Sequence, residues 1–355
     1  MHRSSLRATL AVLFAGAFLN VPVARAEQIT LRVADYFPAG HFVAEYGAKE
    51  WMRLAAEYAD GEVSFDYYPA EQLGKAKDML SLTQSGVVDI GVVAPSYATD
   101  KLPLAAVAEL PEAFTTSCEG TLAYWPLARE GGLIDQKEFK PLGVRAVFAL
   151  VLSPFQLYTP NTPLDDLENL NGTKLRTTGA AKVLVVRRLW SVPVQMAAPE
   201  LMEEISQGTV DGVLLSHSST VDYDLQHHLK YSTTGENFGS SVVMYMMSRE
   251  SWDALPAKIQ RAFARAGEEV TRSSCIETER DTQASKSEIA AAGVDFTALD
   301  GRQRARLLKT LSDVSQQWAT DLDSRDKLGS EVLKAFQAEL AKTLYDETDD
   351  PEIDP

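Results

Sequence analysis

Two copies of one short pattern constrain the fold of this chain more than any other feature. Residues 79–93 and residues 201–215 each read as a helix, a Gly-x-Val-Asp sequence and a short apolar run. Gly86 and Gly208 stand where a left-handed residue commonly ends a helix. The apolar run that follows has the length of a strand buried on both faces, as in a parallel sheet. Each copy alone is common in α/β proteins, but the two together predict two lobes of related design.

The other predicted elements fit a two-lobed α/β protein, because 355 residues exceed the usual size of a single core. One helical face is predicted from the spacing of Val43, Gly47, Trp51, Leu54 and Tyr58. Strands are predicted over residues 29–34, 61–68, 146–152 and 241–247. No low-complexity linker separates the lobes, so the last two strands are expected to run between them. From Ser251 onward the chain is predicted to be helical, with long helical periodicity over residues 302–344.

The first 26 residues have the features of a secretory signal peptide. Arg3 and Arg7 precede a mostly apolar stretch, and Ala24-Arg25-Ala26 supplies the small-x-small cleavage pattern. We expect cleavage after Ala26 and export to the periplasm, with an uncleaved N-terminal anchor as the alternative. No other apolar run approaches the ~20 residues needed to span a bilayer.

The chain is strongly acidic, with a formal net charge of −16. The predicted leader carries three arginines and no acidic residue, so its removal makes the chain more negative still. This balance argues against binding to nucleic acid or to anionic lipid. It does not exclude a small anionic ligand, because local side chains set the field inside a cleft. Residues 346–355 read as a solvated acidic tail.

Arg176 is the strongest candidate for a ligand-binding residue. Residues 163–179 read as an acidic helical turn, an Asn-Gly turn and a strand with Arg176 near its end. Ligands of α/β proteins commonly bind in the crevice outside the carboxyl ends of strands. A guanidinium can bind a carboxylate through two parallel hydrogen bonds. The alternative is a structural ion pair between Arg176 and the nearby acidic residues.

Several segments together resemble the periplasmic solute-binding component of TRAP (tripartite ATP-independent periplasmic) transporters. The specific patterns are Tyr-Pro-x-x-Gln-Leu-Gly, beginning at Tyr68, and Gly-x-Lys-x-Arg, ending at Arg176. The matching segments are residues 31–41, 67–74, 84–93, 167–176, 207–212 and 252–256. They occur in the family's order and extend over essentially the whole chain after the leader.

This resemblance implies a two-lobed periplasmic binding protein fold, with strand crossovers between the lobes and long C-terminal helices. Lobe I is expected over residues 27–150 with part of 238–275, and lobe II over 151–237. The helices of residues 251–345 are expected to span and pack on both lobes. The implied function is capture of a small organic acid by lobe closure and delivery to a TRAP-type membrane permease. Arg176 matches the family's arginine that pairs with the ligand carboxylate.

The chain departs from the family pattern at two positions that bear on the ligand. Leu215 stands where family members often carry an amide that faces the ligand, and Ser216 or His217 can substitute for it. Gln156 stands where some members carry a second arginine. The two changes favour a monoanion over a dianion as ligand.

Further candidates for the cleft follow from position and chemistry. They are the aromatic residues Phe37 and Tyr245, and Ser96, which follows the predicted strand that ends at Val93. Pockets for small molecules are mainly apolar with a few placed polar groups. The sequence contains no glycine-rich phosphate loop, Gly-x-Ser-x-Gly elbow or zinc-protease helix, and we expect neither a cofactor nor a metal.

Three functional hypotheses remain open at this point. The first is a transport receptor, the second is the same binding module serving a membrane sensor, and the third is an exported hydrolase or lyase. The state of Cys118 and Cys275 is open too, since an exported chain permits a disulfide but sequence does not give its geometry.

Overall fold

The structure, a computed structural model, describes residues 28–348 and contains two mixed β-sheets. In chain order the strands are β1 (Ile29–Ala34), β2 (Val63–Tyr68), β3 (Ile90–Val93), β4 (Val144–Val151), β5 (Gln156–Thr159), β6 (Lys174–Thr177), β7 (Val192–Gln195), β8 (Gly212–Leu215), β9 (Tyr231–Thr233), β10 (Val242–Ser248) and β11 (Asp295–Thr297). The first sheet has the order β2-β1-β3-β10-β4 and the second has the order β11-β9-β5-β8-β6-β7. The predicted signal peptide and residues 349–355 of the predicted tail lie outside the described residues.

Helices pack on both sheets and complete two lobes, which confirms the predicted fold class. The α-helices are α1 (Glu50–Tyr58), α2 (Met79–Gln84), α3 (Ser117–Ala128), α4 (Gly179–Arg188), α5 (Leu201–Ser206), α6 (His217–Asp222), α7 (Arg249–Ala254), α8 (Ala257–Ala291), α9 (Gly301–Leu311), α10 (Val314–Asp323) and α11 (Gly329–Thr348). A π-helical segment, Ala44–Lys49, leads directly into α1. The predicted helical face is confirmed, because Val43, Trp51 and Leu54 are buried.

The repeated helix-Gly-strand pattern is confirmed in both lobes. In the first lobe α2 leads to β3, and in the second lobe α5 leads to β8. Gly86 and Gly208 adopt positive φ values of 71° and 70°, as the left-handed helix ends require. Both strands lie inside their sheets and are buried along their full length.

The aspartate of each repeat has the same structural role. A carboxylate oxygen of Asp89 accepts the backbone N–H of Arg32 at 2.7 Å, and one of Asp211 accepts the backbone N–H of Lys174 at 2.8 Å. In return, the backbone N–H of each aspartate donates to the carbonyl of the same partner residue. Each aspartate therefore fixes the start of its strand against the neighbouring parallel strand.

Two hinge segments, residues 152–155 and residues 234–241, connect the lobes. The first leads from β4 into β5, and the second leads from β9 back into β10. The predicted strands over 146–152 and 241–247 are present as β4 and β10, but they lie side by side within the first sheet, so the hinge segments and not the strands cross between the lobes. The hinge segments are hydrogen-bonded to each other. The backbone N–H of Leu152 donates to the carbonyl of Ser241 at 2.9 Å, and that of Phe155 donates to the carbonyl of Gly239 at 2.8 Å. Adjacent crossings of this kind permit hinge closure around a ligand.

The C-terminal part packs against both lobes. Helix α8 has 35 residues, so it is about 50 Å long, and it contacts α1, α3 and β4 as well as α6. Helices α9 and α10 pack on α4, whereas α11 packs on α3. The prediction of continuous helix from Ser251 onward is wrong at β11, which pairs with β9 at the edge of the second sheet. The helical periodicity over 302–344 corresponds to three helices, and none of the helices in residues 28–348 is long and apolar enough to cross a membrane.

Cys118 and Cys275 form a disulfide that joins α3 to α8. The two residues are 157 positions apart in sequence, so the bond closes a long loop. It fixes the middle of α8 to the first lobe.

Candidate functional site

A buried cavity lies between the lobes, at the carboxyl ends of the parallel strands β1 and β3 in the first sheet and β6 and β8 in the second. Parallel strands with this arrangement place ligand-binding side chains in the crevice outside their ends. The cavity volume is about 20 Å³, little more than the roughly 10–15 Å³ that one water requires. The lobes are therefore closed in this structure, and a solute enters the cavity only when they separate.

Arg176 lies on β6 and carries the positive charge of the cavity. Its guanidinium is buried, with 2% of the residue exposed. It donates to the carbonyl of Met196 at 3.2 and 3.0 Å and, through a longer contact of 3.4 Å, to the carbonyl of Leu214. No carboxylate in the described part of the chain forms an ion pair with it, and burial lowers the pKa of Arg176 below its ordinary value. An unpaired charge in the interior is costly, so this site is suited to an anion from outside the chain.

Aromatic rings form much of the cavity wall. Tyr36 and Phe37, which follow β1, have ring centroids 4.3 Å apart, and Tyr97 stands edge-on to Tyr36 at 5.4 Å. Phe155, from a hinge segment, and Tyr223, at the end of α6, also line the cavity. Flat apolar side chains in contact with one another suit a planar apolar ligand group.

Asp35 holds the loop that carries this wall. One of its carboxylate oxygens accepts the backbone N–H of Phe37 at 2.8 Å. The other accepts the hydroxyls of Tyr67, at 3.0 Å, and of Tyr245. Burial raises the pKa of Asp35 to about 6, although these hydrogen bonds favour the charged form.

Two tyrosine hydroxyls stand near Arg176. The oxygen of Tyr97 accepts the backbone N–H of Ala198 at 3.0 Å, a contact from the first lobe to the second. The nearby positive charge of Arg176 opposes the rise in the pKa of Tyr97 that burial causes. The hydroxyl of Tyr223 is buried and has no hydrogen-bond partner within residues 28–348.

The structure brings two of the seven predicted site residues, Arg176 and Phe37, together at the cavity. Gln156 is buried beside the hinge, where its amide donates to the carbonyl of Glu236 and accepts the hydroxyl of Thr233 at 3.1 Å. Ser96 is buried against Gly179 at the start of α4.

The other three predicted residues serve local structure in the closed form. Ser216 caps α6 by accepting the backbone N–H of Ser219 at 3.3 Å. His217 bonds to the hydroxyl of Tyr158 on β5, and burial lowers its pKa to about 4. Tyr245 faces Asp35 within the first lobe. A ligand contact by any of the seven predicted residues stays a prediction.

Three other residues that line the cavity, Tyr97, Phe155 and Tyr223, were not predicted from the sequence. Tyr97 comes after β3, as Ser96 does, so the preference of ligands for strand ends applies to both residues. That preference does not say which side chain of the turn faces the cleft. Phe155 and Tyr223 gave no usable signal, because a hinge segment and the end of a short helix have no periodicity that marks a binding side. Leu215 does line the cavity, where the family pattern has an amide.

A larger groove of about 560 Å³ lies on the surface of the second lobe, between the end of α4 and α9. Both of its arginines are paired, since Arg188 bonds to Asp313 at 2.8 Å and Arg306 to Glu168. These side chains are also largely open to solvent. The buried, unpaired guanidinium of Arg176 makes the smaller cavity the better candidate for an anion site.

Two lobes that close on a buried cavity beside a double hinge define the class of two-lobed binding proteins. The chain belongs to the bacterial extracellular solute-binding protein family 7, whose sequence profile matches residues 34–321.

Similar proteins are found by sequence and by structure. The C4-dicarboxylate-binding periplasmic protein DctP of Rhodobacter capsulatus is 28% identical over 335 residues, which cover 91% of this chain and 94% of that protein. A TRAP solute-binding protein of Rhodoferax ferrireducens, solved with copurified benzoate, superposes with a TM-score of 0.83 at 21% identity and covers 90% of this chain and 100% of its own. A TRAP protein of Bordetella bronchiseptica with bound mandelate gives a TM-score of 0.80 at 21% identity, with 89% and 99% covered. The recognition of the family from sequence is thereby confirmed.

Proposed function

We propose that this protein is a periplasmic receptor that captures a small aromatic monocarboxylate by lobe closure and delivers it to a TRAP-type permease. The observation that carries the proposal is the buried guanidinium of Arg176, which lacks a carboxylate partner in the described residues and faces a cavity between closed lobes. A carboxylate that enters this cavity supplies the missing charge. The closed cavity is too small for an aromatic ring, so the lobes close less far around a bound acid, whose ring then packs against the aromatic wall.

A monoanion suits the charges of the cavity better than a dianion. Arg176 is the single cationic side chain among its described lining residues. The nearby Lys182 is already paired with Glu109 at 2.9 Å, and both side chains are fully buried. This receptor should therefore prefer acids such as benzoate or mandelate, which the two structural relatives hold, to the C4-dicarboxylates named for the Rhodobacter relative.

The export route and the handling of the ligand belong to the same proposal. We propose that the leader is cleaved after Ala26 and that the protein works in the periplasm, where a disulfide such as Cys118–Cys275 persists. The receptor binds its ligand without turning it over. Recovery of the acid unchanged by mass spectrometry after long incubation tests this point, and a stoichiometric product would favour a hydrolase or lyase.

Calorimetric titration with benzoate, mandelate, succinate and malate tests the ligand class, and an Arg176→Ala variant tests the anchor. We expect Arg176→Ala to weaken binding of the preferred acid by about 30-fold or more, because truncating one partner of a buried charge pair costs about 2–5 kcal/mol. Arg176→Lys keeps the charge but loses the planar fork, and should recover only part of the affinity.

The exposed Arg187 on α4 offers a matched control. Arg187→Ala removes the same charge from the surface and should bind as the wild type does. Equal affinity of the Arg176→Ala variant and the wild type would exclude this residue as the anchor. A wild-type protein that binds neither class of acid would contradict the proposal itself.

A further inference from the structure

Among the described residues that line the cavity, Tyr223 is the one with a fully buried hydroxyl that has no hydrogen-bond partner. It lies directly after α6, and its ring lines the cavity together with Arg176. Its hydroxyl oxygen is buried without a hydrogen-bond partner in the part of the chain that the structure describes. A buried hydroxyl without a partner costs free energy, so this one is expected to have a partner in the functional complex.

The neighbouring donors show which partner is missing. Arg176 donates three hydrogen bonds to the carbonyls of Met196 and Leu214. A guanidinium has five N–H groups, so the others remain free to donate to a ligand. The hydroxyl oxygen of Tyr97 already accepts the N–H of Ala198. A carboxylate offers two oxygens with about four acceptor positions, more than the remaining guanidinium donors fill. Tyr97 also keeps its own proton, but the hydroxyl of Tyr223 is the one that is buried with neither a donor nor an acceptor partner in the described residues.

We infer that Tyr223 is a specificity-determining residue whose hydroxyl donates a hydrogen bond to the ligand carboxylate held by Arg176. The inference rests on the proposed function, since it assigns a second contact to the same anion. It also predicts that a neutral amide or ester binds more weakly than the acid, because it offers fewer acceptor positions to the two donors.

Contacts with the first lobe hold Tyr223 in place. The carboxylate of Asp222, the preceding residue, accepts the backbone N–H of Phe42 at 2.8 Å and lies 3.6 Å from His41. The rings of Tyr223 and His41 meet edge-on at 5.3 Å. Phe42 and His41 belong to the loop after β1, so these contacts join the two lobes at the cavity. Tyr223 is therefore positioned for the ligand only when the lobes are closed.

Tyr223→Phe removes the hydroxyl and keeps the ring, which makes it the sharpest test. We expect affinity for the preferred carboxylate to fall about 10- to 100-fold, as for a hydrogen bond to a charged group. The melting temperature without ligand should stay the same or rise, because the variant no longer buries an unpaired hydroxyl. The carboxamide analogue of the same acid should bind both proteins about equally, since it lacks the charged acceptor.

Tyr124→Phe is the matched control, because it deletes a buried hydroxyl that bonds to Met244 inside the first lobe, away from the cavity. Its affinity for the acid should be unchanged. If Tyr223→Phe binds the acid as tightly as the wild type while Arg176→Ala does not, the inference fails and the proposed function stands. If the wild type binds no acid in the panel, the proposed function fails first.

Discussion

Lys182 and Arg176 are both buried cations near the hinge, and they differ in where their counter-charge comes from. The ammonium of Lys182 lies 2.9 Å from the carboxylate of Glu109 and also donates to the carbonyl of Ser240. Burial lowers the pKa of Lys182, and the charge of Glu109 opposes this shift. Glu109 belongs to the first lobe, Lys182 to α4 and Ser240 to a hinge segment, so the pair stabilises the junction of the lobes. Arg176 has no such partner in the described residues, which is why we propose it, and not Lys182, as the cation that binds the ligand.

The Lys182–Glu109 pair predicts a large stability effect. Lys182→Ala leaves a carboxylate buried without its partner, and we expect the free energy of unfolding to fall by about 3–5 kcal/mol. The double variant Lys182→Met with Glu109→Gln removes both charges and should recover most of this loss. Urea unfolding followed by circular dichroism measures both. A Lys182→Ala protein as stable as the wild type would mean that the pair contributes nothing in solution.

The sequence predicted only part of the cavity lining. Arg176 and Phe37 were predicted because strand ends and family motifs mark their positions, and both line the cavity. The direction of a side chain after a strand is set by loop geometry, which sequence periodicity does not encode, so Tyr97 was missed beside Ser96. Tyr223 was missed because its place depends on a contact between lobes, namely Asp222 with Phe42, that no local pattern reveals.

Among the elements, α8 is fitted most closely to its neighbour. It crosses β4 at Gly267, where an added Cβ atom would stand 1.9 Å from the carbonyl oxygen of Val147. Backbone atoms cannot move aside as a flexible side chain can. The helix therefore lies against the first sheet only because this position has no side chain.

Gly267→Ala should force α8 away from β4. We expect a loss of about 1–3 kcal/mol, as for other overpacked interiors, and a melting temperature lower by several degrees. Gly301→Ala, at the first residue of α9, is the control, because an added Cβ there meets nothing within 4 Å. It should be neutral or slightly stabilising. Equal melting temperatures for the two variants would contradict the close packing of α8.

Most of the helices and strands were predicted from the sequence. The two helix-Gly-strand units and the strands of the first sheet were found because buried strands and glycine helix ends leave strong local patterns. β11 was missed because it has three residues, none of them fully buried, so no alternation marks it. The breaks between α9, α10 and α11 were missed because the polar turns that separate them interrupt the apolar spacing only briefly.

Closure of the whole molecule should depend on pH through Asp222. Burial raises its pKa from the ordinary 3.8 to about 7. Repulsion from Asp281 and Glu288 on α8, and from Glu45 on the first lobe, adds to this shift, whereas the N–H of Phe42 opposes it. Opening the lobes exposes the carboxylate and returns its pKa toward the ordinary value. The closed form therefore gains stability from this group below the ordinary pKa and loses it as the pH rises through about 7.

Asp222→Asn, which keeps an acceptor for Phe42 but cannot ionise, isolates this effect. His41 lies beside Asp222, and burial lowers the pKa of His41 to about 3. Its titration when the lobes open is the same in the wild type and the variant, so it cancels in the ratio of their affinities. We expect the ratio of wild-type to variant affinity for the acid to rise by up to about tenfold between about pH 8 and about pH 6. Calorimetric titrations across this range measure the ratio. A ratio that does not change with pH would show that Asp222 does not titrate on closure.

The small volume of the closed cavity has a consequence for the timing of transport. Lobes that close to a cavity of little more than one water leave no open path between them, so a bound acid departs only when the lobes part. The residence time of the ligand is then set by how often the hinge opens, and contacts that tie the ligand to both lobes lengthen it by making opening rarer. A permease that pulls the lobes apart would release the cargo on demand, while a receptor free in solution would retain it over the distance it has to travel.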